Sequence, residues 1–310
     1  MKEDPQIDVS ILIVSYNTRE MTLECIASIY EQTTSHRIQV IVLDNDSKDG
    51  SAEAIAARFP DVELIASREN HGFARGNNVA SLRSKGRRTL LLNPDTVILD
   101  RAIDRLLDFA DGHPEHRLWG GRHCFADGSI NTFNCFRDYS VWSTFCSALG
   151  LNRIFSGSSA FNPRPYPGYD RMSTREVEVV TGCYLLIDTE LWKELEGFDP
   201  EFFMFAEEVD LCRRARDAGA RPIINAESLI VHHGGGSAPS RSIERRIQLF
   251  RAERQYYRKH MGGIRSFLAC MFSEMRIIRL AILGSLMQLV TRRKNPRASL
   301  ELIRRRREWS

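Results

Sequence analysis

The stretch VSILIVSYNT, residues 9–18, decides the fold of this chain. Its first six residues are nearly all apolar and rich in β-branched side chains, which predicts a strand that is buried on both faces. The polar residues 15–18 predict a loop, and apolar side chains at helical spacing over 21–32 predict a helix. A buried strand that leads through a polar loop into a helix is the building unit of an α/β sheet.

The same unit recurs along the first third of the chain. Further buried strands are predicted at 39–43, 62–66 and 89–92, and further helices at 51–58, 77–85 and 101–112. Strands that alternate with helices predict βαβ units and a mostly parallel sheet.

Polar clusters follow three of these strands. They are Tyr16-Asn17, Asp44-Asn45-Asp46 and Asn93-Pro94-Asp95. Turn formation alone would explain any one of them, because Asn and Asp are common turn residues. Three clusters at equivalent strand ends predict a ligand site, since open sheets bind ligands beyond the carboxyl ends of their strands.

Charge is distributed unevenly over a chain of ordinary globular composition. The 310 residues are 43% hydrophobic and 27% charged, with a net charge of +3. From Arg241 onward 18 Lys and Arg face 5 Asp and Glu, whereas residues 1–240 carry 25 against 35. This division into an acidic body and a basic tail indicates which partners the chain could bind and says nothing about its fold.

The cysteines and the chain ends favour an intracellular protein. Seven cysteines contain no C-x-x-C pair, which predicts reduced core thiols and argues against zinc. Residues 1–5 lack the apolar stretch of a signal peptide, so we expect a cytoplasmic location. The apolar run at 280–290 is too short to cross a bilayer.

The second half of the chain is less regular. Residues 123–175 predict a long irregular segment of the kind that often forms a functional loop. Strands are predicted at 176–180, 184–187, 222–224 and 229–231, a helix at 207–218, and a ligand-rich loop at 232–237.

An acidic run stands out in this half. In FFMFAEEVDLCR, residues 202–213, apolar side chains lead directly into three carboxylates. Apolar surroundings and neighbouring like charges both disfavour ionisation, and they can hold a carboxylate near the pKa that a general base needs. A solvated helix N-terminus, where acidic residues are favoured in any case, is the simpler interpretation of the run alone.

Taken together, these motifs resemble those of the inverting family 2 glycosyltransferases of GT-A fold. The nearest subgroup is the rhamnosyltransferase-like enzymes of bacterial surface-polysaccharide assembly. The similarity spans about residues 9–238 and rests on VSYN at 14–17, VLDNDSKDGS at 42–51, NHGFARGNN at 70–78, LLNPD at 91–95, TG at 181–182, GFD at 197–199, the acidic run and VHH at 231–233.

The resemblance implies a fold and two domains. The fold is a Rossmann-like mixed sheet flanked by helices, with a C-terminal helical basic extension. Residues 1–240 would form the glycosyltransferase domain. Beyond the similarity, apolar residues at helical spacing predict an amphipathic helical extension over 241–310.

The resemblance also implies a nucleotide-sugar site. Asp44 would accept the imide N–H of a uracil or thymine ring, a contact that distinguishes these bases. The substrate-binding residues would be Tyr16, Asn17, Asp44, Asn70, Gly72, Arg75, Asn77, Asn93, Thr181 and Gly182. Asp95 and His232 would hold Mg²⁺ or Mn²⁺, which neutralises the departing diphosphate. Asn93 stands where many relatives carry a second carboxylate.

Catalysis is assigned by the resemblance to the acidic run. Glu208 occupies the position of the base that removes the acceptor hydroxyl proton, although the usual residue there is Asp. Glu207 would orient the acceptor, and Asp210 would form a structural pair with Arg213.

The expected reaction is inverting transfer of a deoxyhexose, which the resemblance indicates is L-rhamnose, from a dTDP-sugar to a polyprenyl-diphosphate-linked saccharide.

The basic tail carries apolar residues at helical spacing (Phe267, Met271, Met275, Ile278, Ile282 and Leu286), which predicts helices on the inner face of the plasma membrane. Packing of these helices on the acidic body remains the alternative. Nucleic acid is not an expected partner, since no aromatic interleaving or known motif accompanies the basic residues.

Other functions stay open at this point. A UDP-sugar-dependent transferase of the same fold fits the same motifs. A nucleotidyltransferase would need a lysine-bearing glycine-rich loop after the first strand, and residues 15–19 lack one. A nucleotide-sugar-binding protein that has lost catalysis also stays possible, because the chain has a single metal carboxylate and carries Glu208 where Asp is usual.

Overall fold

The computed structural model describes residues 6–234, 243–291, 301 and 303–308. These residues form two compact units. The first contains 6–136, 170–203 and 207–234, and the second contains 137–169, 204–206 and the described residues from 243 onward. The division at residue 240 remains a prediction. Residues 235–242 and 292–300, with the predicted glycine-rich loop and part of the basic tail, lie outside the described residues.

Twelve strands and ten helices are numbered here in chain order over the described residues. They are β1 (Val9–Ser15), α1 (Arg19–Gln32), β2 (Ile38–Asp44), α2 (Ser51–Arg58), β3 (Glu63–Ala66), α3 (Gly72–Ser81), β4 (Arg88–Leu92), β5 (Thr96–Ile98), α4 (Ala102–Gly112), β6 (Leu118–Cys124), β7 (Ile130–Asn131), β8 (Cys135–Phe136), α5 (Val141–Leu149), α6 (Leu151–Ile154), β9 (Arg175–Glu176), β10 (Val179–Val180), β11 (Tyr184–Asp188), α7 (Thr189–Glu194), α8 (Glu207–Asp217), β12 (Ile223–His232), α9 (Ile243–His260) and α10 (Gly263–Thr291).

The first unit is built on one mixed sheet with the strand order β3-β2-β1-β4-β11-β6-β12-β5. The pairs β1–β2, β1–β4, β2–β3 and β6–β12 are parallel, while β11 runs antiparallel to β4 and β6. The GT-A fold expected from the sequence is confirmed.

Strand β1 lies at the centre of this sheet, and all seven of its residues are buried. Its apolar side chains share a core with α1, α4 and the neighbouring strands. Gly76 lets α3 approach closely, because a Cβ there would stand 3.0 Å from Val14 and 3.1 Å from Leu43. Burial on both faces explains why the strand sequence is continuously apolar.

One edge of the sheet collects the ends of many strands. The carboxyl ends of β1, β2, β4, β6 and β12 meet the amino ends of β11 and β5 there, as the strand pairing shows. We call this edge the donor edge and define it by residues 15–17, 44–46, 93–96, 123–124, 181–184 and 230–232. The prediction that three polar clusters share one edge is confirmed.

Some predicted elements differ from those observed. Helix α3 begins at Gly72 instead of residue 77, so the small residues of 72–76 lie inside it. The two short strands predicted at 222–231 form one strand, β12, with an irregularity between Ile224 and Leu229. The segment 123–175 is wrong as one irregular loop, because it contains β7, β8, α5 and α6 and begins in the unpredicted β6.

The second unit is helical. Arg276 of α10 pairs with Glu253 of α9, and Arg254 of α9 lies 2.9 Å from Glu274 of α10. Helix α5 packs on α10, with the rings of Phe145 and Phe272 5.2 Å apart. Within the described residues, no helix is long and apolar enough to cross a membrane.

Candidate active site

Asp44, the last residue of β2, places a carboxylate inside the donor edge. The side chain is only 3% exposed. Its Oδ1 accepts a hydrogen bond from the backbone N–H of Ser47 at 3.0 Å, whereas the buried Oδ2 accepts none from the residues that the structure describes. A buried acceptor without a donor is costly, so Oδ2 is suited to receive an N–H from a ligand.

The loop before α3 is fastened by amide side chains. Asn45 donates to Oδ1 of Asn70 at 3.0 Å and to the carbonyl of Gly72 at 3.1 Å, and its own Oδ1 accepts from the backbone of His71 at 2.7 Å. Asn70 also accepts from the N–H of Gly72 at 2.8 Å. Asn70 therefore orders the loop from within.

Gly72 is required by the conformation at the start of α3. Its φ is +73°, and a Cβ would stand 2.5 Å from the carbonyl oxygen of Phe203. The same carbonyl accepts from the backbone N–H of Phe73 at 3.0 Å. The glycine thus joins the loop to the segment that precedes the acidic helix.

Helix α3 presents one predicted site residue to solvent and buries another. Arg75 is exposed, while Asn77 is buried and donates to the carbonyl of Phe73 at 2.9 Å. Asn78 clamps the backbone of Phe198 through two bonds of 2.7 and 2.9 Å. Asn77 and Asn78 are thus committed to holding the fold.

Tyr16 and Asn17 follow β1 directly, next to the end of β2. Asn17 has a φ of +52° and accepts from the backbone N–H of Lys48 at 2.7 Å. Its own N–H donates to Ser47 Oγ at 2.9 Å. Asn17 therefore fixes the loop after Asp44, and Tyr16, half-buried, stands beside it.

Asp95 and His232 meet where β5 and β12 pair. The carboxylate of Asp95 lies 3.5 Å from Nε2 of His232, and the backbone N–H of His233 donates to the carbonyl of Asp95 at 3.0 Å. The amide of Asn93 lies 3.5 Å from the same Nε2. The two residues predicted to bind metal are therefore neighbours.

A thiol and a second imidazole adjoin His232. Cys183 Sγ is 3.7 Å from Nδ1 of His123, and the two histidine rings are 5.7 Å apart. Burial disfavours the Cys183 thiolate, but the charges of His123 and His232 lower the pKa of the thiol well below its usual range. Burial likewise lowers the pKa of His232, yet Cys183 and Asp95 raise it to about 11.

Thr181 and Gly182 link this cluster to the acidic helix. Thr181 is held by the carbonyl of Asn134, to which its N–H donates at 3.2 Å. A Cβ on Gly182 would stand 3.2 Å from the ring of Phe73 and 3.6 Å from the Cβ of Glu208. Glu208 thus borders the donor edge across a residue without a side chain.

The two glutamates at the start of α8 differ in environment. Glu207 is 5% exposed and its Oε2 finds no hydrogen-bond partner among the described residues, whereas Glu208 is half-buried. Burial, together with the charge of Glu208, raises the pKa of Glu207 well above its usual range. Glu207 is therefore neutral over a wider pH range than an ordinary glutamate.

Ion pairing anchors α8. Asp210, fully buried, lies 2.7 Å from Nε of Arg214, and Arg214 also donates to the carbonyls of Leu195 and Gly197 at 2.7 and 2.9 Å. The ion-pair partner that fixes Asp210 is thus Arg214 instead of the predicted Arg213. Arg213 lies 3.1 Å from Asp217.

The family is established by comparison with known proteins. Residues 10–191 match the model of glycosyl transferase family 2. The chain belongs to this family. The glycosyltransferase activity expected from the sequence is thereby confirmed.

A curated relative belongs to the rhamnosyltransferase-like group. The chain is 26% identical over 245 residues to the N-acetylglucosaminyl-diphospho-decaprenol L-rhamnosyltransferase of Mycobacterium tuberculosis, covering 72% of this chain and 75% of the relative. The predicted resemblance to a rhamnosyltransferase-like family 2 enzyme is confirmed at this level.

Solved structures share the fold. One is a mannosyltransferase from Pyrobaculum calidifontis in complex with GDP-Man and Mn²⁺, with a TM-score of 0.56 and 16% identity over 96% of this chain and 85% of that one. Another is S. aureus TarS with UDP-GlcNAc, with a TM-score of 0.53 and 15% identity over 91% and 72%. At these identities the likeness concerns the fold of this glycosyltransferase.

The predicted residues lie at or near one edge of the sheet, but they do not all have the same role there. Asp44, Asp95, His232 and Glu208 face or border the donor edge, while Asn17, Asn70 and Asn77 bond chiefly to backbone. His123 and Cys183 were not predicted as site residues. No spacing pattern could find them, because they come from β6 and from the residue before β11.

Proposed function

We propose that this family 2 glycosyltransferase transfers a deoxyhexose, L-rhamnose, with inversion from a dTDP-sugar to a polyprenyl-diphosphate-linked saccharide. The similarity to the mycobacterial N-acetylglucosaminyl-diphospho-decaprenol L-rhamnosyltransferase supports this sugar and this class of acceptor. A cytoplasmic enzyme at the inner face of the plasma membrane would meet both substrates.

The unpaired Oδ2 of Asp44 is the observation that carries the donor assignment. Thymine and uracil both present an N3–H that this oxygen can accept, whereas the corresponding cytosine nitrogen carries no hydrogen. Tyr16 and Asn17 adjoin this position, and exposed Arg75 is available for phosphate oxygens. Selection of pyrimidine diphosphates with an imide follows from this contact.

Glu208 is assigned as the base. It is half-buried at the N-terminus of α8, beside Gly182, where an acceptor hydroxyl can approach the donor edge. Removing the hydroxyl proton during attack on the anomeric carbon is a general-base step. Burial and the charge of Glu208 raise the pKa of Glu207 well above its usual range, and in its protonated form Glu207 would donate a hydrogen bond to the acceptor.

A divalent cation suits the donor set at the end of β4. Asp95 supplies an oxygen ligand that Mg²⁺ and Mn²⁺ prefer, and His232 is the second candidate ligand at 3.5 Å. When bound, the cation would neutralise the charge of the leaving diphosphate. Asn93, whose amide faces His232, would contact the donor beside it.

Helix α10 offers a surface for a membrane. Its apolar side chains Phe267, Met275, Ile278 and Ile282 are 39–69% exposed, and Arg265 on the same helix is exposed. An exposed apolar stripe with basic residues is typical of helices that lie on anionic bilayers.

Sedimentation with anionic phospholipid vesicles tests the membrane surface. We expect the double substitution Phe267→Ser with Ile278→Ser to reduce the bound fraction, and Leu82→Ser, which alters an exposed leucine of the first unit, to leave it unchanged. Equal binding of all three proteins would contradict the proposed role of α10.

A donor screen tests the reaction. Purified enzyme with Mn²⁺ and an N-acetylglucosaminyl-diphospho-polyprenol is offered dTDP-L-rhamnose, UDP-sugars and GDP-mannose. We expect transfer from dTDP-L-rhamnose and a product whose anomeric configuration, measured by nuclear magnetic resonance, is opposite to that of the donor. Transfer from a UDP-sugar instead would favour the UDP-dependent alternative, and transfer from GDP-mannose alone would refute the role of Asp44.

A further inference from the structure

His123, Cys183 and His232, here called the His–Cys cluster, form a compact group of metal-ligating atoms. One ring nitrogen of each histidine and the Sγ of Cys183 lie within 4.8 Å of one another. His123 and Cys183 are 3% and 7% exposed, so the cluster lies inside the sheet edge. Three such groups seldom gather in a core for packing alone, since buried polar groups need partners.

The spacing of the cluster matches a tetrahedral ion. Zinc–sulfur and zinc–nitrogen bonds of about 2.3 and 2.0 Å place sulfur and nitrogen about 3.5 Å apart at a tetrahedral angle. Cys183 Sγ stands 3.7 and 3.8 Å from the two ring nitrogens of His123. A bound imidazole presents one nitrogen to the ion, so the His123 ring would have to turn until one nitrogen faces the ion and the other points away from Sγ.

His232 has a ring nitrogen available for a ligand. Its Nδ1 is buried and makes no hydrogen bond within the described part of the chain, while Nε2 faces Asp95 at 3.5 Å. A buried ring nitrogen without a partner among the described residues can turn to a metal ion, which takes the place of the proton on the ring.

The backbone holds the three side chains in register. His123 pairs with Ile230 across β6 and β12, and the carbonyl of Cys183 accepts from the N–H of Asn93 at 3.0 Å. Thr181 Oγ1 lies 3.2 Å from Cys183 Sγ and can support the ligand from outside. Two of the ligands therefore stand on paired strands, and the third directly precedes a strand.

We propose that the His–Cys cluster is a binding site for a zinc-class transition-metal ion, with two imidazoles and one thiolate as ligands. Thiolate and imidazole select Zn²⁺ or Co²⁺ over Mg²⁺, which takes oxygen ligands. Asp95, whose carboxylate lies 3.5 Å from Nε2 of His232, is the candidate for the fourth position. The cluster shares His232 with the hard-cation site proposed above but differs from it in its sulfur ligand, and its binding of a metal does not depend on the proposed reaction.

Cobalt titration of the full-length, metal-stripped protein tests the site without any substrate. We expect one Co²⁺ per chain to produce the intense near-ultraviolet absorption of a thiolate–cobalt bond. One equivalent of Zn²⁺ should remove this absorption, and a large excess of Mg²⁺ should leave it unchanged. Absence of the band in the folded wild-type protein, or its loss on addition of Mg²⁺, would overturn the proposal.

Matched variants locate the ligands. Cys183→Ser should abolish the band, whereas Cys124→Ser, which changes a buried cysteine next to His123, should retain it. His123→Gln keeps the thiol and should also abolish the band, so it carries the test if Cys183→Ser does not fold by circular dichroism. Persistence of the band in a folded Cys183→Ser or His123→Gln protein would refute the assignment.

Discussion

The donor edge has two halves that hold their polar groups in different ways. At the ends of β1 and β2, Asn17, Asn45 and Asn70 are engaged in hydrogen bonds, and one oxygen of Asp44 is left unpaired. At the ends of β4, β6 and β12, ionisable groups crowd together around His232 and Cys183. We propose that the first half is a preformed recognition surface and that the second gains most from a bound cation.

Helix α8, which begins with the acidic residues Glu207 and Glu208, resembles the second half in that it holds ionisable groups in buried positions. Glu207 is buried and its Oε2 has no hydrogen-bond partner in the described part of the chain, while Asp210, also buried, is paired with Arg214. Burial is therefore tolerated in two ways, by a raised pKa in one carboxyl group and by an ion pair in the other.

The largest effect is expected in the crowded half. Asp95→Asn keeps the shape but removes the charge that would hold the donor's cation, which is worth several kcal/mol in the transition state. We expect transfer to fall about a thousandfold, since every 1.4 kcal/mol is tenfold. Asp61→Asn, at an exposed carboxylate, is the control. An Asp95→Asn enzyme with near-wild-type turnover would assign the cation to other residues.

The free energy of unfolding should distinguish the buried ion pair that anchors α8 from the exposed ion pair on its surface. Arg214→Ala leaves Asp210 buried without its cation and should cost about 3–5 kcal/mol of unfolding free energy. Arg213→Ala removes an exposed pair with Asp217 and should cost at most about 1 kcal/mol. Urea unfolding measures both, and equal costs would show that Arg214 does not anchor the helix.

Asp44→Asn probes the recognition half. The variant replaces the acceptor for an imide N–H, and loss of a hydrogen bond to a charged group costs about 1.5–3 kcal/mol, or roughly tenfold to a hundredfold in affinity for dTDP. Asp61→Asn, at an exposed carboxylate outside the donor edge, is the control. Calorimetry that finds equal affinity for both variants would remove Asp44 from base recognition.

The smallest effect concerns pH and Glu207. Its raised pKa means that the folded state keeps a proton that the unfolded chain releases above pH of about 4.3. Stability from this group is thus lost as the pH rises through the folded pKa. Glu207→Gln should therefore stabilise the protein more at pH 8 than at pH 5 in thermal unfolding. Glu201→Gln, at an exposed carboxylate, should show no such trend.

The recognition half could largely be predicted from the sequence. Buried strands and the polar residues that directly follow them are local patterns, so Asp44 and Asp95 were placed correctly at the sheet edge. The sequence pattern did not show that Asn70 and Asn77 form hydrogen bonds within the fold. Amide side chains in loops and at helix starts serve both to bind ligands and to hold the fold, so the pattern is the same for the two roles.

The His–Cys cluster could not be predicted in this way. Its members lie 60 and 49 residues apart along the chain, and strand order alone brings them together. The absence of a C-x-x-C pair argued against zinc, yet that rule covers only ligands that are close in sequence. Strand β6 was missed because its two glycines and polar residues interrupt the apolar pattern.

Turnover of Glu208→Gln and Glu207→Gln, each with its affinity for dTDP, tests the central claim most directly. If Glu208 removes the acceptor proton, Glu208→Gln lowers the rate of transfer at least about a hundredfold and leaves dTDP affinity unchanged. Glu207→Gln, which imitates the neutral acid, retains most of the rate. A Glu208→Gln enzyme that transfers sugar at the wild-type rate would contradict the account.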